Sequence, residues 1–349
     1  MSAFAASTPL PADYIKSDPR IFFSYHPENT SFQKGYLGIG ITTICGTLHI
    51  RFPHAVKVKN IALNFIGRET VEWIDLIKVR EKIIVNKSIY LWRSLTELGH
   101  ELVTDLDIPF EFEIPQNAIE SFSTRFGKVQ YTLIATINRK SRRKRNSIEV
   151  IVPLCRWTIP SKQEASPLVI KCNARHLNVP ISWQAILSQT FFDINSETLV
   201  KLRMTPLNPD LSIHKISTCL KTSVKYFVDG QPECHRYHTK NFVSGKDILM
   251  IAMGTNTIFE ANTLIKIPSN VPPTCKTKYM SIKNQIQIKV TFKRLRRIVL
   301  ITRDIIVGRN FLDNKSAEDI RDYMDNYFFF ESELNENCNG GKMRNFIIV

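Results

Sequence analysis

A chain of 349 residues with 43% hydrophobic and 23% charged side chains has ordinary globular composition, which excludes wholesale disorder and fibrous repeats; its length suits two cores better than one. The formal net charge of +15 predicts a surface that meets a polyanion, whether phospholipid headgroups, phosphorylated protein or nucleic acid. Seven scattered cysteines suit free thiols in a reducing compartment, and the start of the chain lacks a secretory signal, so the expected location is cytoplasmic.

Residues 1–19 read as an N-terminal extension. Gly35-Tyr36-Leu37-Gly38-Ile39-Gly40 superficially suggests a phosphate loop, but no Lys-Ser/Thr pair and no helical pattern follow, so a turn entering a strand is expected. Period-2 alternation is then the dominant signal, because it puts alternate side chains on one buried strand face. It is clearest at Val129, Tyr131, Leu133, Ala135 and Ile137, and it recurs at Leu168, Ile170 and Cys172, at Ile181, Trp183, Ala185 and Leu187, and at Ile286, Ile288, Val290 and Phe292. Long helical periodicity is absent up to about residue 310. The class predicted is all-β, with turns between short strands favouring sandwiches. No apolar run reaches the roughly 18–20 residues that span a bilayer, so membrane contact is expected to be peripheral.

The tail changes period. Ser316 reads as a helix N-cap with Asp319 three residues on, and Ile320, Tyr323, Met324 and Tyr327 then share one helical face. A short amphipathic helix is expected there, docking on its own domain.

A repeat organises the rest. Ile114-Pro115-Gln116-Asn117 through Ser121, Phe126 and Val129 to Ile137 lies over Ile267-Pro268-Ser269-Asn270 through Thr274, Tyr279 and Ile282 to Val290, 153 residues later and without a gap. In each copy a proline turn leaves a strand, a hydroxyl residue follows, and an alternating strand starts. Two related sandwiches in tandem are implied. The polar stretch Ile159 to Pro167 falls between the copies as a linker. The expected division is an extension at 1–19, a first sandwich at 20–158, a linker at 159–167, a second sandwich at 168–310 and a tail at 311–349.

Several stretches resemble a known family. Gly46-Thr47-Leu48-His49-Ile50, then Ile61 to Glu69 with Trp73, look like an early strand pair of arrestin-related proteins. Pro109-Phe110-Glu111-Phe112-Glu113-Ile114-Pro115 leading to Ser121 and Gly127 to Ala135 is similar to that family's most recognisable stretch, and Val200 to Met204, Ile213 to Ile216 and Ile267 to Cys275 resemble its second domain. The resemblance, closest to the α-arrestin branch, covers roughly residues 20–310. It implies two immunoglobulin-like sandwiches and a non-enzymatic adaptor for cytosolic tails of membrane transporters or receptors, in ubiquitin-linked endocytosis, trafficking or signalling. Many α-arrestins recruit HECT-type ubiquitin ligases through PPxY or LPxY peptides. Here Leu10-Pro11-Ala12-Asp13-Tyr14 has one residue too many, and Pro272-Pro273-Thr274-Cys275 has cysteine in place of tyrosine, so the expectation is either recruitment of a HECT-type ligase through a partner or a shortened role without one. The family's second proline before the serine is also replaced, by Ile119-Glu120. Within the same fold a retromer small-subunit-like coat component is the rival reading; outside it, a basic nucleic-acid or phospholipid-binding sandwich.

Candidate binding residues cluster in two basic runs. Arg139, Lys140, Arg142, Arg143, Lys144 and Arg145 sit between two strands, and Lys293, Arg294, Arg296 and Arg297 occupy the matching place in the second copy. Crowded like charges repel, so exposed hairpin loops facing an anionic membrane surface are the physical expectation. No aromatic platform is interleaved with the first run, which weakens a single-strand nucleic-acid reading. Cys234-His235-Arg236-Tyr237-His238 lacks the second ligand pair of a zinc site, no G-x-S-x-G nucleophile motif is present, and no metal, cofactor or catalytic residue is expected.

Overall fold

The computed structural model describes residues 20–27, 29–73, 78–140, 145–172, 181–206, 213–228, 231–234, 242–243, 248–253, 256–292 and 298–311, and the regular structure among them is β-strand throughout. The expected tail helix at Ser316 to Tyr327 lies outside the described residues, as do His235 to His238. Two compact units divide the chain, residues 1–156 and 157–349.

Unit 1 contains β1 (Ile21–Ser24), β2 (Gln33–Lys34), β3 (Thr42–Trp73), β4 (Lys78–Arg93), β5 (Glu101–Ile114), β6 (Phe122–Ser123), β7 (Gly127–Arg139) and β8 (Arg145–Ile151). The segments expected as separate strands, Gly46–Ile50 and Ile61–Glu69, prove to be one strand, β3. Its first part pairs with β1 and β5 and its second part with β4 and β7. The ladder with β5 breaks between Arg51 and Val56. Pro53, exposed in that gap, has no N–H for a ladder, so pairing is interrupted there and resumes with the same strand from Val56 to Val58. Phe65, on the second part, stacks at 5.9 Å on Phe112 of β5, and both are buried. That contact joins the two layers, and each such buried ring contributes about 1.5–3 kcal/mol of burial free energy.

Unit 2 begins with β9 (Trp157–Thr158), which pairs in parallel with Arg309 and Asn310. Its first sheet runs β10 (Leu168–Cys172), β11 (Ile181–Leu187), β13 (Glu197–Pro206), β18 (Asn256–Lys266), β17 (Ile248–Met253) in spatial order, antiparallel throughout. The second runs β12 (Phe191–Asp193), β21 (Ile298–Asn310), β20 (Met280–Phe292), β14 (Ile213–Val228), β15 (Gln231–Cys234), with β16 (Phe242–Val243) on β14 and β19 (Cys275–Lys276) on β20. One face of β11 and one of β20 are buried at every second residue. Those faces meet in a single core, with Trp183, Leu202 and Phe259 from the first sheet and Ile286, Ile288 and Phe292 from the second.

The repeat is visible atom by atom. β19 and β20 begin and end 153 residues after β6 and β7. In the proline turns Ala118 N donates to Pro115 O at 2.9 Å and Val271 N to Pro268 O at 3.2 Å. The hydroxyls after them, Ser121 Oγ and Thr274 Oγ1, accept Leu154 N at 2.9 Å and Val307 N at 3.0 Å. Thr124 and Thr277 each close a turn by donating to the carbonyl three residues on, at 2.7 and 3.1 Å, and accepting that residue's N–H. The correspondence therefore runs on to Leu154 and Val307, past the point where the sequence comparison ends.

Candidate interaction surface

The first basic run lies on a hairpin. β7 and β8 stay paired up to Asn138 and Arg145, and the hairpin's root rests on β3: Asn138 Nδ2 donates to Asn60 Oδ1 at 2.6 Å and Lys140 N to Lys57 O at 3.1 Å. The two described side chains of the run behave differently. Arg139 lies with its guanidinium 5.1 Å over the Phe52 ring, its Nε buried without a hydrogen-bond partner among the described residues, so it anchors the hairpin root through a cation–π contact. Lys140 is exposed. Arg142, Arg143, Lys144 and the side chain of Arg145 lie outside the described residues. In unit 2 the equivalent hairpin is paired up to Thr291 and Ile298, and Lys293, Arg294, Arg296 and Arg297 lie outside the described residues.

Pairing adds cations that no single run contains. Lys59 O accepts Ser94 N at 3.0 Å, Arg93 pairs with Asn60, and Lys57, Lys59, Arg93 and Lys140 are all exposed at this end of unit 1. Arg93 also lies 3.7 Å over the Tyr90 ring. The signal for Lys57 and Lys59 was local, since they flank the buried Val58 and so share the outward face of β3. Nothing local ties them to Lys140 or Arg93.

A polar row crosses the outer face of β1, β3 and β5. Ser24 Oγ lies 2.8 Å from His49 Nε2, His49 Nδ1 lies 2.7 Å from Asp107 Oδ1, and Arg51 holds the same carboxylate at 2.6–2.8 Å. The hydrogen bond from His49, then that from Arg51, keeps the Asp107 carboxyl below its ordinary value. Serine, histidine and aspartate appear here in the order of a hydrolytic triad, but Phe22 stacks on His49 at 4.6 Å and Arg51 occupies the carboxylate. The row ties three strands together. Next to it a depression of about 580 Å³ is lined by residues including His26, Lys34, Cys45, Thr47, Pro109 and Glu111. Burial raises the Cys45 thiol, and the Cys219 thiol in unit 2, above the ordinary range, the opposite of an activated nucleophile.

Among the described residues no group of three His, Cys, Asp or Glu side chains is placed to hold a metal ion, and no helix is long and apolar enough to cross a membrane. No curated protein sequence matches the chain. Two family models do, and they account for both sandwiches. The arrestin (or S-antigen) N-terminal domain matches residues 29–154 and the arrestin (or S-antigen) C-terminal domain matches residues 179–310. Tandem sandwiches related by an internal repeat, with each family model falling on one of them, make this chain a member of the arrestin-domain family.

Proposed function

We propose that this chain is a non-catalytic adaptor of the α-arrestin branch, holding the cytosolic tails of membrane transporters or receptors at the plasma membrane or endosomes. Arrestin membership supports an adaptor role in trafficking; the observation that carries the cargo reading is strand β1. Among the described residues β1 pairs along one side only, with β3. Its other edge offers unpaired backbone donors and acceptors to an extended peptide. The two basic hairpins add attraction to an anionic bilayer, about 1 kcal/mol for each lysine or arginine near its surface.

Without PPxY or LPxY the chain reaches a HECT-type ligase through a partner protein. The deciding experiment is capture from the native cell by proximity labelling, with immobilised cytosolic tails as the direct test. Plasma-membrane transporters or receptors together with ubiquitin machinery are expected. Recovery of coat subunits in place of ubiquitin machinery would move the protein to the coat reading. A nuclear set, with binding to nucleic acid that falls steeply with salt, would end the adaptor reading.

A further inference from the structure

The turn joining β4 to β5, residues 94–100, holds the most exposed leucine among the described residues of unit 1. Leu95 is 95% exposed, Leu98 78% and Leu102, at the start of β5, 65%. Single exposed apolar residues are common on protein surfaces; two leucines in one short turn, with a third at the start of the next strand, are not. The loop is also well ordered by its own polar groups. Thr96 Oγ1 donates to His100 O at 2.9 Å, Leu95 N donates to Glu101 Oε1 at 2.8 Å, and Gly99 N donates to Thr96 O at 2.8 Å, with Gly99 at φ +63°. Its hydrogen-bonding groups therefore turn inward upon the loop while its leucines turn outward, the reverse of what solvent alone favours.

Around this tip stands the cationic cluster described above. Ser94 N donates to Lys59 O, Leu102 pairs directly with Lys57, and Lys57 O in turn accepts Lys140 N. Arg93 immediately precedes the loop. Two carboxylates share this end: Glu97, exposed between the leucines, and Glu101, which is engaged with Leu95 N. An apolar tip ringed by lysine and arginine matches a bilayer surface layer by layer, with leucines at the acyl boundary and cations at the phosphates.

We propose that the β4–β5 loop is a membrane-docking tip, in which Leu95 and Leu98 enter an anionic lipid surface and Lys57, Lys59, Arg93 and Lys140 hold its headgroups. The inference rests on the peripheral membrane contact proposed above and adds an apolar anchor to the charge of the basic runs. Electrostatic attraction alone is screened by salt; insertion of leucine is not.

The test uses the full chain and phosphatidylcholine vesicles with or without phosphatidylserine. Leu95 and Leu98 are so exposed that Leu95→Asp with Leu98→Asp leaves the melting temperature unchanged, while sedimentation with phosphatidylserine vesicles falls by about tenfold or more. Leu95→Trp keeps binding, and its emission moves to the blue when vesicles are added. Unchanged vesicle binding in the double aspartate variant overturns the proposal, as does unmoved emission of Leu95→Trp on bound vesicles. A variant with both basic hairpins neutralised separates the two ideas. If it alone loses binding, the electrostatic contact stands and the docking tip falls; if the wild-type chain ignores vesicles, both fall. Loss of cargo-tail capture by the double aspartate variant, with vesicle binding intact, assigns the leucines to a protein partner and also overturns the proposal.

Discussion

The two units meet the same structural demand with different chemistry. In each, a backbone carbonyl just after the proline turn faces the interior: Ile119 O in unit 1 and, 153 residues on, Pro272 O in unit 2. Tyr131 donates its phenol to Ile119 O at 2.7 Å, and the equivalent residue Asn284 donates Nδ2 to Pro272 O at 3.2 Å. The neighbouring strand has adjusted to each choice. Opposite Tyr131 stands Gly67, and a Cβ placed there would lie 2.3 Å from the tyrosine ring; opposite Asn284 stands Thr222, which donates Oγ1 to Asn284 Oδ1 at 2.7 Å. What the fold preserves is a satisfied acceptor and a filled space, not a residue type.

The largest effect is expected where most bonds converge. Asn284 also donates to Thr274 Oγ1 at 3.0 Å, so Asn284→Leu strands Pro272 O and Thr222 together and disturbs the clasp on Val307. A loss of about 3 kcal/mol is expected in unit 2, read as faster hydrogen exchange across β14 and β20 with β3 and β7 unchanged. Protection lost equally in both units would show that they do not open separately. Gly67→Ala comes next. It forces the Tyr131 ring out of place at about 2–3 kcal/mol, and the cost should shrink in a Tyr131→Leu background, because the clash is with that ring alone. An undiminished cost in the double variant would place the strain in the β3 backbone.

Tyr131→Phe is milder, about 1–2 kcal/mol, since it leaves Ile119 O without its donor. It also carries a pH signature. Burial pushes the Tyr131 phenol well above its ordinary value, so the folded state keeps the proton where the unfolded chain releases it. Stability is complete below the ordinary tyrosine value of about 10 and declines as pH rises from there toward the folded value. Urea midpoints of wild type should fall more steeply than those of Tyr131→Phe above that pH; parallel slopes would mean the phenol reaches solvent. Unit 2 carries no titrating group at the equivalent position.

Much of this fold was legible in the sequence for a local reason. Alternation in Val129 to Ile137 and Ile286 to Phe292 is set by successive residues of one strand, and the proline turn with its following hydroxyl occupies a few adjacent positions, so both copies could be aligned directly. The continuity of β3 was not legible, because Pro53 and the polar residues beside it look like an ordinary loop; only the pairing partners on either side reveal a strand that changes layer. The candidate surface was half visible. A dense run such as Arg139 to Arg145 is conspicuous along the chain, whereas Lys57, Lys59, Arg93 and Leu95 join it only through hydrogen bonds from β3 to segments tens of residues away. Arg139 itself was read as a solvent-facing cation, and its place over Phe52 depends on a ring far away in the sequence.

The smallest effect concerns the surface rows, where the two units differ again. Asp107 faces His49 across β3 and β5, and the equivalent pair in unit 2 is Glu260 with Arg203 at 3.6 Å. Asp107 receives both His49 and Arg51, and these hold its carboxyl below the ordinary value; among the described residues Glu260 meets the exposed Arg203. A carboxylate held low contributes stability above its unfolded value, about 3.9 for aspartate, and loses it as pH falls through the folded value. Because Asp107 is open to solvent the contribution is small. Urea midpoints compared at neutral pH and near pH 3 should therefore drop slightly more for wild type than for Asp107→Asn. Equal drops for wild type and Asp107→Asn would mean that water screens the row completely, leaving backbone pairing alone to hold β1, β3 and β5 together on that face.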